Sequence, residues 1–201
     1  ASQVAIIEQA VQQMLSNGQI EKSNGFWASN ALLVKKKDGT HRFCIDFRRV
    51  NGITAKEATL IPSIEPIFNQ FRNGTNGLSQ AVFSTIDLAS GYWQIPIKDE
   101  ESREKTSFIT SGIYRFKVMP FGLVNAPATF QRMMNELLQE HIGKFVHVYL
   151  DDICVFSENF DRHIDHLRTV FDIMKRTNLQ MRLGKCTFAR ISVPFLGHEI
   201  S

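Results

Sequence analysis

Apolar positions recur with helical spacing in three long stretches of the chain. The first predicts a helix over residues 4–16, which ends before Asn17-Gly18. The second follows Asn125 and the third follows Asp161, and each of these polar residues is predicted to cap the helix after it. The inward stripe of the second helix is predicted to comprise Phe130, Met133, Met134, Leu137 and Leu138.

Runs rich in β-branched and aromatic residues predict strands between these helices. Residues 31–36 and 41–47 flank Asp38-Gly39, which predicts a hairpin. Residues 20–30 are predicted to be irregular, with Phe26 and Trp27 as packing anchors. Further strands are predicted at 81–86, 106–110, 113–119, 179–183 and 193–200, with a short helix near 64–71.

Residues 145–156 read FVHVYLDDICVF, in which two apolar runs flank Asp151-Asp152 without Gly or Pro. This pattern predicts a buried hairpin with two carboxylates at its tip. Burying unpaired carboxylates costs several kcal/mol each, so a divalent cation is a natural partner, and oxygen ligands suit magnesium. Taken alone, the motif fits a solvated Asp-Asp turn equally well.

The order of helices and strands predicts a third carboxylate beside the Asp151-Asp152 motif. From Val82 onward, ignoring the hairpin at 106–119, the order is strand, helix, strand, strand, helix, strand. This is the split β-α-β order of a ferredoxin-like sheet, in which the first strand lies beside the central hairpin. Asp87 is therefore predicted beside Asp151 and Asp152. Three such carboxylates can hold two divalent ions roughly 4 Å apart for phosphoryl transfer.

Composition adds a basic stretch and excludes a membrane partner. The chain has 201 residues, 43% of them hydrophobic, and a net charge of +3. Residues 35–49 hold six basic and two acidic side chains, a net +4, so the remainder carries −1. Such a basic hairpin predicts a phosphate-binding surface, although lysines also protect edge strands. No signal peptide or membrane-length apolar run is present, and the three scattered cysteines are typical of an intracellular protein with reduced, mostly buried thiols.

Two weaker patterns leave their alternatives open. His163 and His166 lie one helical turn apart and could bind zinc, but a solvated or capping role needs no second ligand pair. Tyr114 and Phe116 could stack on nucleic acid, and a buried hairpin face explains them equally well.

The motifs together resemble the reverse transcriptases. Tyr149-Leu150-Asp151-Asp152 resembles their signature, and Asp87 stands where their first catalytic aspartate does. Residues 119–127, MPFGLVNAP, resemble the form found in gypsy-type LTR retrotransposons, whereas retroviral enzymes usually carry Gln at the position of Phe121. The match covers nearly the whole chain.

The resemblance implies an α+β fold, a right-hand palm with a fingers subdomain. Fingers are expected over residues 1–80 and mainly palm over 81–201, with the 106–119 hairpin returning to the fingers. No thumb, connection or ribonuclease H pattern follows, so a fragment of a larger Pol polyprotein is expected.

The implied activity is RNA-directed DNA polymerisation, with DNA-directed synthesis as well. Two Mg²⁺ ions are expected, with Mn²⁺ as a substitute, and Lys185 resembles the lysine that protonates the leaving pyrophosphate. The implied metal-binding group comprises Asp87, Leu88, Asp151 and Asp152.

The resemblance also assigns substrate contacts. Lys36, or its neighbour Lys35, and Arg42 would bind the triphosphate of a deoxynucleotide, and the Tyr92 ring would exclude a ribose 2′-hydroxyl. The rest of the implied nucleotide site comprises Ala89, Ser90, Gly91, Phe121 and Gly122. The implied contacts to an RNA or DNA template and its primer comprise Asn125, Pro127, Tyr149, Leu196, Gly197 and His198.

Two other classes of function compete with this interpretation. A catalytically silent relative could serve as a nucleic-acid-binding or interaction module, but it has no evident need for Asp87, Asp151 and Asp152 together. An RNA-dependent RNA polymerase shares the palm, and Tyr92 argues against it. The resemblance also allows a dimer formed through regions outside this fragment, and a location in cytoplasmic virus-like particles or the nucleus.

Overall fold

The structure, a computed structural model, divides into two compact units. Unit 1 comprises Ala1–Glu57 and Tyr92–Ala126, and unit 2 comprises Ala58–Gly91 and Pro127–Ser201. The fingers and palm bounds expected from the sequence stay a prediction. The residues that the structure describes are 3–35, 39, 41–57, 65, 67 and 81–201. Lys36 and nearly all of the helix predicted at 64–71 lie outside them.

Helices and strands are interspersed along the described chain. In order they are α1 (Gln3–Ser16), β1 (Ile20–Lys22), β2 (Ser29–Lys35), β3 (His41–Ile45), α2 (Arg48–Ile53), β4 (Val82–Asp87), α3 (Glu100–Lys105), β5 (Phe108–Ile109), β6 (Ile113–Phe116), α4 (Ala126–Leu138), β7 (Val146–Tyr149), β8 (Asp152–Ser157), α5 (Phe160–Thr177), β9 (Thr187–Arg190), β10 (Val193–Phe195) and β11 (His198–Ile200). Two short 3₁₀ turns span Gly91–Gln94 and Leu183–Lys185.

Unit 1 is built on a sheet with the strand order β1-β6-β5-β2-β3. The predicted hairpin around Gly39 is confirmed, since β2 and β3 pair antiparallel up to Lys35 and His41. The predicted packing anchors are wrong: Phe26 is fully exposed and Trp27 is 38% exposed. Ile20 enters the core instead, because β1 pairs with β6 and brings it against buried aromatic side chains. Those aromatic side chains are Phe47, Phe108, Tyr114 and Phe116, so Tyr114 and Phe116 are core residues.

The basic stretch divides between the hairpin and the helix that follows it. Arg42 lies on β3, whereas Arg48 and Arg49 open α2. Arg48 donates to Asp46 at 2.6 Å, and this contact holds the Asp46 pKa at about 2. The predicted cluster on one two-stranded arm is therefore wrong for Arg48 and Arg49.

Unit 2 contains a second sheet with the strand order β7-β8-β4-β9. This is the ferredoxin-like order predicted from the sequence. The last strand was predicted at 179–183 but runs over Thr187–Arg190, because Arg182 bonds to the Asp87 carbonyl and a 3₁₀ turn follows. The strand predicted at 193–200 is a hairpin, since Leu196 and Gly197 both have positive φ and form a two-residue turn.

The helices of unit 2 differ from prediction at their ends and their stripe. Asn159, not Asp161, caps α5, because its side chain accepts from the Arg162 amide. Phe130, Met134 and Leu138 of α4 are buried, whereas Met133 and Leu137 are half-buried. No helix in the described residues is long and apolar enough to cross a membrane.

The three cysteines are free thiols in different surroundings. Cys154 on β8 is fully buried, and this burial raises its pKa to about 12. Cys44 and Cys186 are half-buried, so the expectation of mostly buried thiols holds for Cys154 alone.

Candidate active site

The carboxylates of unit 2 lie at the same end of neighbouring strands. β4 and β8 pair antiparallel, and the register places Asp87 opposite Asp152. On the other side of β8, Tyr149 is opposite Asp152, which leaves Leu150 and Asp151 as a two-residue turn. The prediction that Asp87 stands beside this hairpin, despite the long separation in sequence, is confirmed.

The local charge in this group is strongly negative. The pKa of Asp152 is raised, first by partial removal of its carboxyl from water and then by the charges of Asp151 and Asp87. Lys185 opposes this shift. Its ammonium nitrogen lies 3.7 Å from the Asp87 carboxylate, although more than half of the Lys185 side chain is exposed.

The donor chemistry of the group fits a hard divalent cation. Carboxylate oxygens are the ligands that Mg²⁺ and Mn²⁺ prefer. The charges of Asp151 and Asp87 add to partial burial in raising the Asp152 pKa, and a bound cation would oppose both, as Lys185 does in part. As the side chains stand, no group of three or more His, Cys, Asp or Glu in the described part of the chain is placed to hold a metal ion. The three aspartates therefore have the right kind of donor atom but are not arranged around a metal position. Lys185 is the positively charged group beside them.

The segment after β4 is held by its backbone. The Ala89 amide donates to the Gln180 carbonyl, and the Arg182 amide donates to the Asp87 carbonyl. Leu88, included in the predicted metal-binding group, is buried and forms a bridge with Met181. Ser90 adopts a left-handed φ of 52°.

Gly91 packs too closely for any side chain. A Cβ built on Gly91 would come 2.9 Å from the Phe130 ring and 3.4 Å from the Asp151 Cβ. Gly91, one of the predicted nucleotide-binding residues, therefore lies close to the carboxylate turn.

A second group of predicted residues lies in unit 1 and is aromatic. The Phe121 ring packs 4.9 Å from the Tyr92 ring and 5.9 Å from the Trp93 ring. Phe121 remains 50% exposed, and Gly122 follows with φ of 97°. The predicted steric gate and pocket wall thus form one aromatic surface.

Two asparagines hold the segment that carries Phe121 and Gly122. Asn51 donates to the Gly122 carbonyl at 2.8 Å and accepts from the Val124 amide at 2.9 Å. Asn125 accepts from the Glu57 amide and donates to the Ala55 carbonyl, so its side chain fixes a neighbouring segment. Pro127 lies in the first turn of α4, as predicted.

The hairpin β10–β11 packs on the core of unit 2. Phe195 is buried among Phe83, Cys154 and Val193, and Tyr149 and Leu196 pack against the same cluster. Gly197 and His198 are exposed at the turn. Tyr149 and Leu196, both predicted to contact nucleic acid, therefore pack against the same core.

His163 and His166 form a buried network instead of a zinc site or a helix cap. His163 is fully buried, and its two ring nitrogens contact the Ser84 hydroxyl at 2.6 Å and the Ser157 hydroxyl at 2.8 Å. Ser157 also contacts His166 at 2.8 Å. Burial, reinforced by His166, lowers the His163 pKa to about 4, so the neutral ring is the stable form.

Sequence reasoning missed two polar residues that hold these groups. Gln131 lies on the buried face of α4, with its Oε1 accepting from the Leu150 amide at 2.7 Å. Its position three residues before Met134, on the apolar stripe, was the available signal. Asn51 gives no comparable signal, because its partners lie 71 and 73 residues away in sequence.

Comparisons with known proteins agree with this architecture. A family model described as reverse transcriptase (RNA-dependent DNA polymerase) matches residues 34–200. In Drosophila melanogaster, the retrovirus-related Pol polyprotein from transposon 297 is 42% identical over 97% of this chain, and that from transposon gypsy is 37% identical over 97%. The chain spans 18% and 19% of the length of these two relatives.

Solved structures give the same result. A foamy viral protease-reverse transcriptase in complex with RNA/DNA hybrid has a TM-score of 0.85 and 29% identity, covering 98% of this chain and 26% of that one. A form in complex with double-stranded DNA has a TM-score of 0.84 and 30% identity, covering 97% of this chain and 33% of the other. The fold is thus the α+β palm-and-fingers architecture expected from the sequence. Taken with the carboxylate register and the relatives among gypsy-type Pol polyproteins, these matches show that the chain belongs to the reverse transcriptase family.

Proposed function

We propose that the chain is the part of a Pol polyprotein that carries RNA-directed DNA polymerase activity, adding deoxynucleotides to a primer 3′ end. The observation that supports this most is the register of β4 and β8, in which Asp87 lies opposite Asp152 and next to the Asp151 turn. Phosphoryl transfer needs positioning and charge neutralisation more than covalent chemistry, and this group suits that requirement.

Asp87, Asp151 and Asp152 would hold two Mg²⁺ ions, for which Mn²⁺ could substitute. Such ions, when bound, polarise phosphoryl oxygens and stabilise the attacking and leaving oxygens. The raised pKa of Asp152 is consistent with this role, because partial burial and the neighbouring charges of Asp151 and Asp87 both disfavour its charged form when no cation is bound. Lys185 would donate a proton to the leaving pyrophosphate; its proximity to Asp87 supports a place in this group.

Arg42 and Lys36 would bind the nucleotide triphosphate. Arg42 is exposed on β3 and its partner across the strand pair is Val34, so its charge is available to an anion. The Tyr92 ring would exclude a ribose 2′-hydroxyl, and its packing against Phe121 would keep it in place. Ala89, Ser90, Gly91 and Gly122 would complete the nucleotide site.

The template and primer would be held through the backbone, since a polymerase must copy any sequence. The turn of the β10–β11 hairpin, with Leu196, Gly197 and His198, would support the primer end. Tyr149 packs against the same core as Leu196, which supports a shared role. Asn125 and Pro127 would shape the template side, and DNA templates should be accepted as well as RNA, because foamy viral relatives bind both kinds of duplex.

A primer-extension assay tests the proposal directly. The chain would be incubated with an RNA template, a DNA primer, deoxynucleotides and Mg²⁺, beside an Asp151→Asn, Asp152→Asn double variant. Extension by the parent chain alone is the expected result. Tight binding of the primer–template without extension by either chain would contradict the proposal and favour a silent nucleic-acid-binding module.

A further inference from the structure

The turn that carries Asp151 has an unfavourable backbone conformation. Leu150 has φ of 53°, which places a residue with a bulky side chain in the left-handed region. Such a conformation persists only where the surroundings hold it, and it is often found at functional sites. The turn therefore requires support from outside the two strands it joins.

Gln131 on α4 supplies that support with both ends of its amide. Its Oε1 accepts from the Leu150 amide at 2.7 Å, and its Nε2 donates to the Val148 carbonyl at 3.3 Å. Asn135 adds a third contact, because its Oδ1 accepts from the same Nε2 at 2.9 Å. Gln131 is 1% exposed, so water does not replace these bonds.

The residue before Gln131 packs against the glycine that lies beside Asp151. Phe130 is fully buried and lies against Gly91, whose missing side chain leaves space for the Asp151 Cβ. Gln131 thus bonds to the turn directly, whereas Phe130 packs against Gly91, which lies beside Asp151.

We propose that Gln131 is a positioning residue for the carboxylate group, an inference that rests on the proposed polymerase function. It holds the Leu150 amide and thereby fixes the direction in which Asp151 and Asp152 leave the turn. The separation of these carboxylates from Asp87 decides how tightly a divalent cation binds. Gln131 itself touches neither substrate nor metal.

The test compares four variants of the full chain. Gln131→Met keeps the length of the side chain and removes its donor and acceptor, whereas Gln131→Asn keeps the amide but is one methylene too short to reach Leu150. Asn135→Ala removes the third partner of the amide and spares both backbone bonds. Ser157→Ala removes a buried hydrogen bond elsewhere on β8 and serves as the control for lost stability.

Two measurements apply to each variant. The first is Mn²⁺ binding without substrate, followed by electron paramagnetic resonance and corrected with the Asp151→Asn, Asp152→Asn variant. The second is primer extension as a function of Mg²⁺, with kcat and the KM for primer–template separated. Loss of a bond that orients metal ligands typically weakens metal binding 10–100-fold.

Gln131→Met and Gln131→Asn should each bind Mn²⁺ about tenfold or more weakly, with a lower kcat and an unchanged KM for primer–template. Asn135→Ala and Ser157→Ala should stay within about twofold of the parent chain in metal binding. Should Gln131→Met fail to fold, Gln131→Asn supplies the same comparison.

Wild-type Mn²⁺ affinity in both Gln131 variants would overturn the inference, as would an equal loss in Ser157→Ala. A parent chain that binds Mn²⁺ but extends no primer would contradict the proposed function alone. In that case a weaker Mn²⁺ affinity in the Gln131 variants would still support the positioning role.

Discussion

The two units hold their predicted functional segments in different ways. In unit 2 the turn at Leu150 and Asp151 lies between paired strands, and a buried glutamine bonds to its backbone. In unit 1 the segment with Phe121 and Gly122 belongs to no strand or helix, and Asn51 holds it from a half-buried position. Phe121 itself is half exposed.

The difference corresponds to what each segment would bind. Carboxylates that share a cation need fixed separations, because a small displacement changes the coordination geometry. An aromatic surface beside a nucleotide can tolerate small movements, since packing and stacking depend less steeply on orientation. Rigid support in unit 2 and adjustable support in unit 1 are therefore the expected division. Four predictions test this comparison.

The largest effect is expected from Asp151→Asn, which removes one charge with almost no change of shape. Primer extension should fall by at least about 10²–10³-fold, because the chain would lose a ligand of the cations that stabilise the charge developing in the transition state. Asp152→Asn should act similarly and yet raise the midpoint of thermal unfolding by about 1–3 °C, because it removes a partly buried charge that Asp151 and Asp87 also repel. A lower midpoint together with full activity would assign these carboxylates to the fold.

The next effect is a dependence of stability on pH, which should arise in unit 2 from His163. The His163 pKa is about 4 in the folded protein against an ordinary 6.5, so the unfolded chain binds more protons between these values. Stability should therefore fall as pH decreases from 6.5 to 4, by an amount on the order of 3 kcal/mol. Urea unfolding at pH 7 and pH 4 measures it.

A His163→Gln variant is the control for this prediction. Its stability should depend less on pH than that of the parent chain, because one of the groups that must stay neutral is gone. His147, whose pKa burial also lowers to about 4, remains and should leave a residual pH dependence. Hydrogen exchange at pH 5 should show faster opening of β4 and β8 than of β2 and β3. Equal acceleration in both units would contradict the assignment to His163.

A smaller effect is expected in unit 1 from Tyr92→Ala. Removing the ring should reduce discrimination against ribonucleotides about 10-fold or more, as measured by kcat/KM for matched deoxy- and ribonucleotides. Tyr92→Phe keeps the ring and its contact with Phe121, so it should discriminate as the parent chain does. Unchanged sugar selection in Tyr92→Ala would remove Tyr92 from the nucleotide site.

The smallest effect is expected from Asn51→Ala, which removes two hydrogen bonds to the Gly122–Val124 backbone. Because the segment is adjustable, the KM for deoxynucleotides should rise only several-fold, an effect of about 1 kcal/mol. Steady-state kinetics at saturating primer–template measures it. Asn51→Asp keeps the acceptor for the Val124 amide, so its KM should lie between those of the parent chain and Asn51→Ala. A loss as large as that in Gln131→Met would contradict the comparison.

The sequence predicted the parts of the fold that depend on local pattern and element order. Asp87 could be placed beside Asp152 because the split β-α-β order allows one sheet arrangement, and the register agrees. The last strand was displaced from 179–183 to Thr187–Arg190, since a backbone bond from Arg182 to Asp87 ends the extended run. No sequence pattern predicts the backbone hydrogen bond between Arg182 and Asp87, which are 95 positions apart.

The same reasoning explains which site residues were found and which were missed. The aspartates carry their own chemistry and stand out between apolar neighbours. Gln131 and Asn51 act through hydrogen bonds to distant backbone, and their side chains have no distinctive reactivity. Helix α3 was missed although Asp99 caps it and acidic residues occupy its first turn. No residue of this helix is buried, so its sequence has no apolar stripe that could be detected.

The buried thiol of Cys154 can report how fast the sheet of unit 2 opens, because it can react only when that sheet opens. With a pKa of about 12, roughly one thiol in ten thousand is ionised at pH 8, and no reagent reaches it in the closed protein. Cys44 and Cys186 are half-buried and should react first with a chromogenic disulfide. The slow third equivalent then reports how often β8 separates from β4, without a label or a substrate.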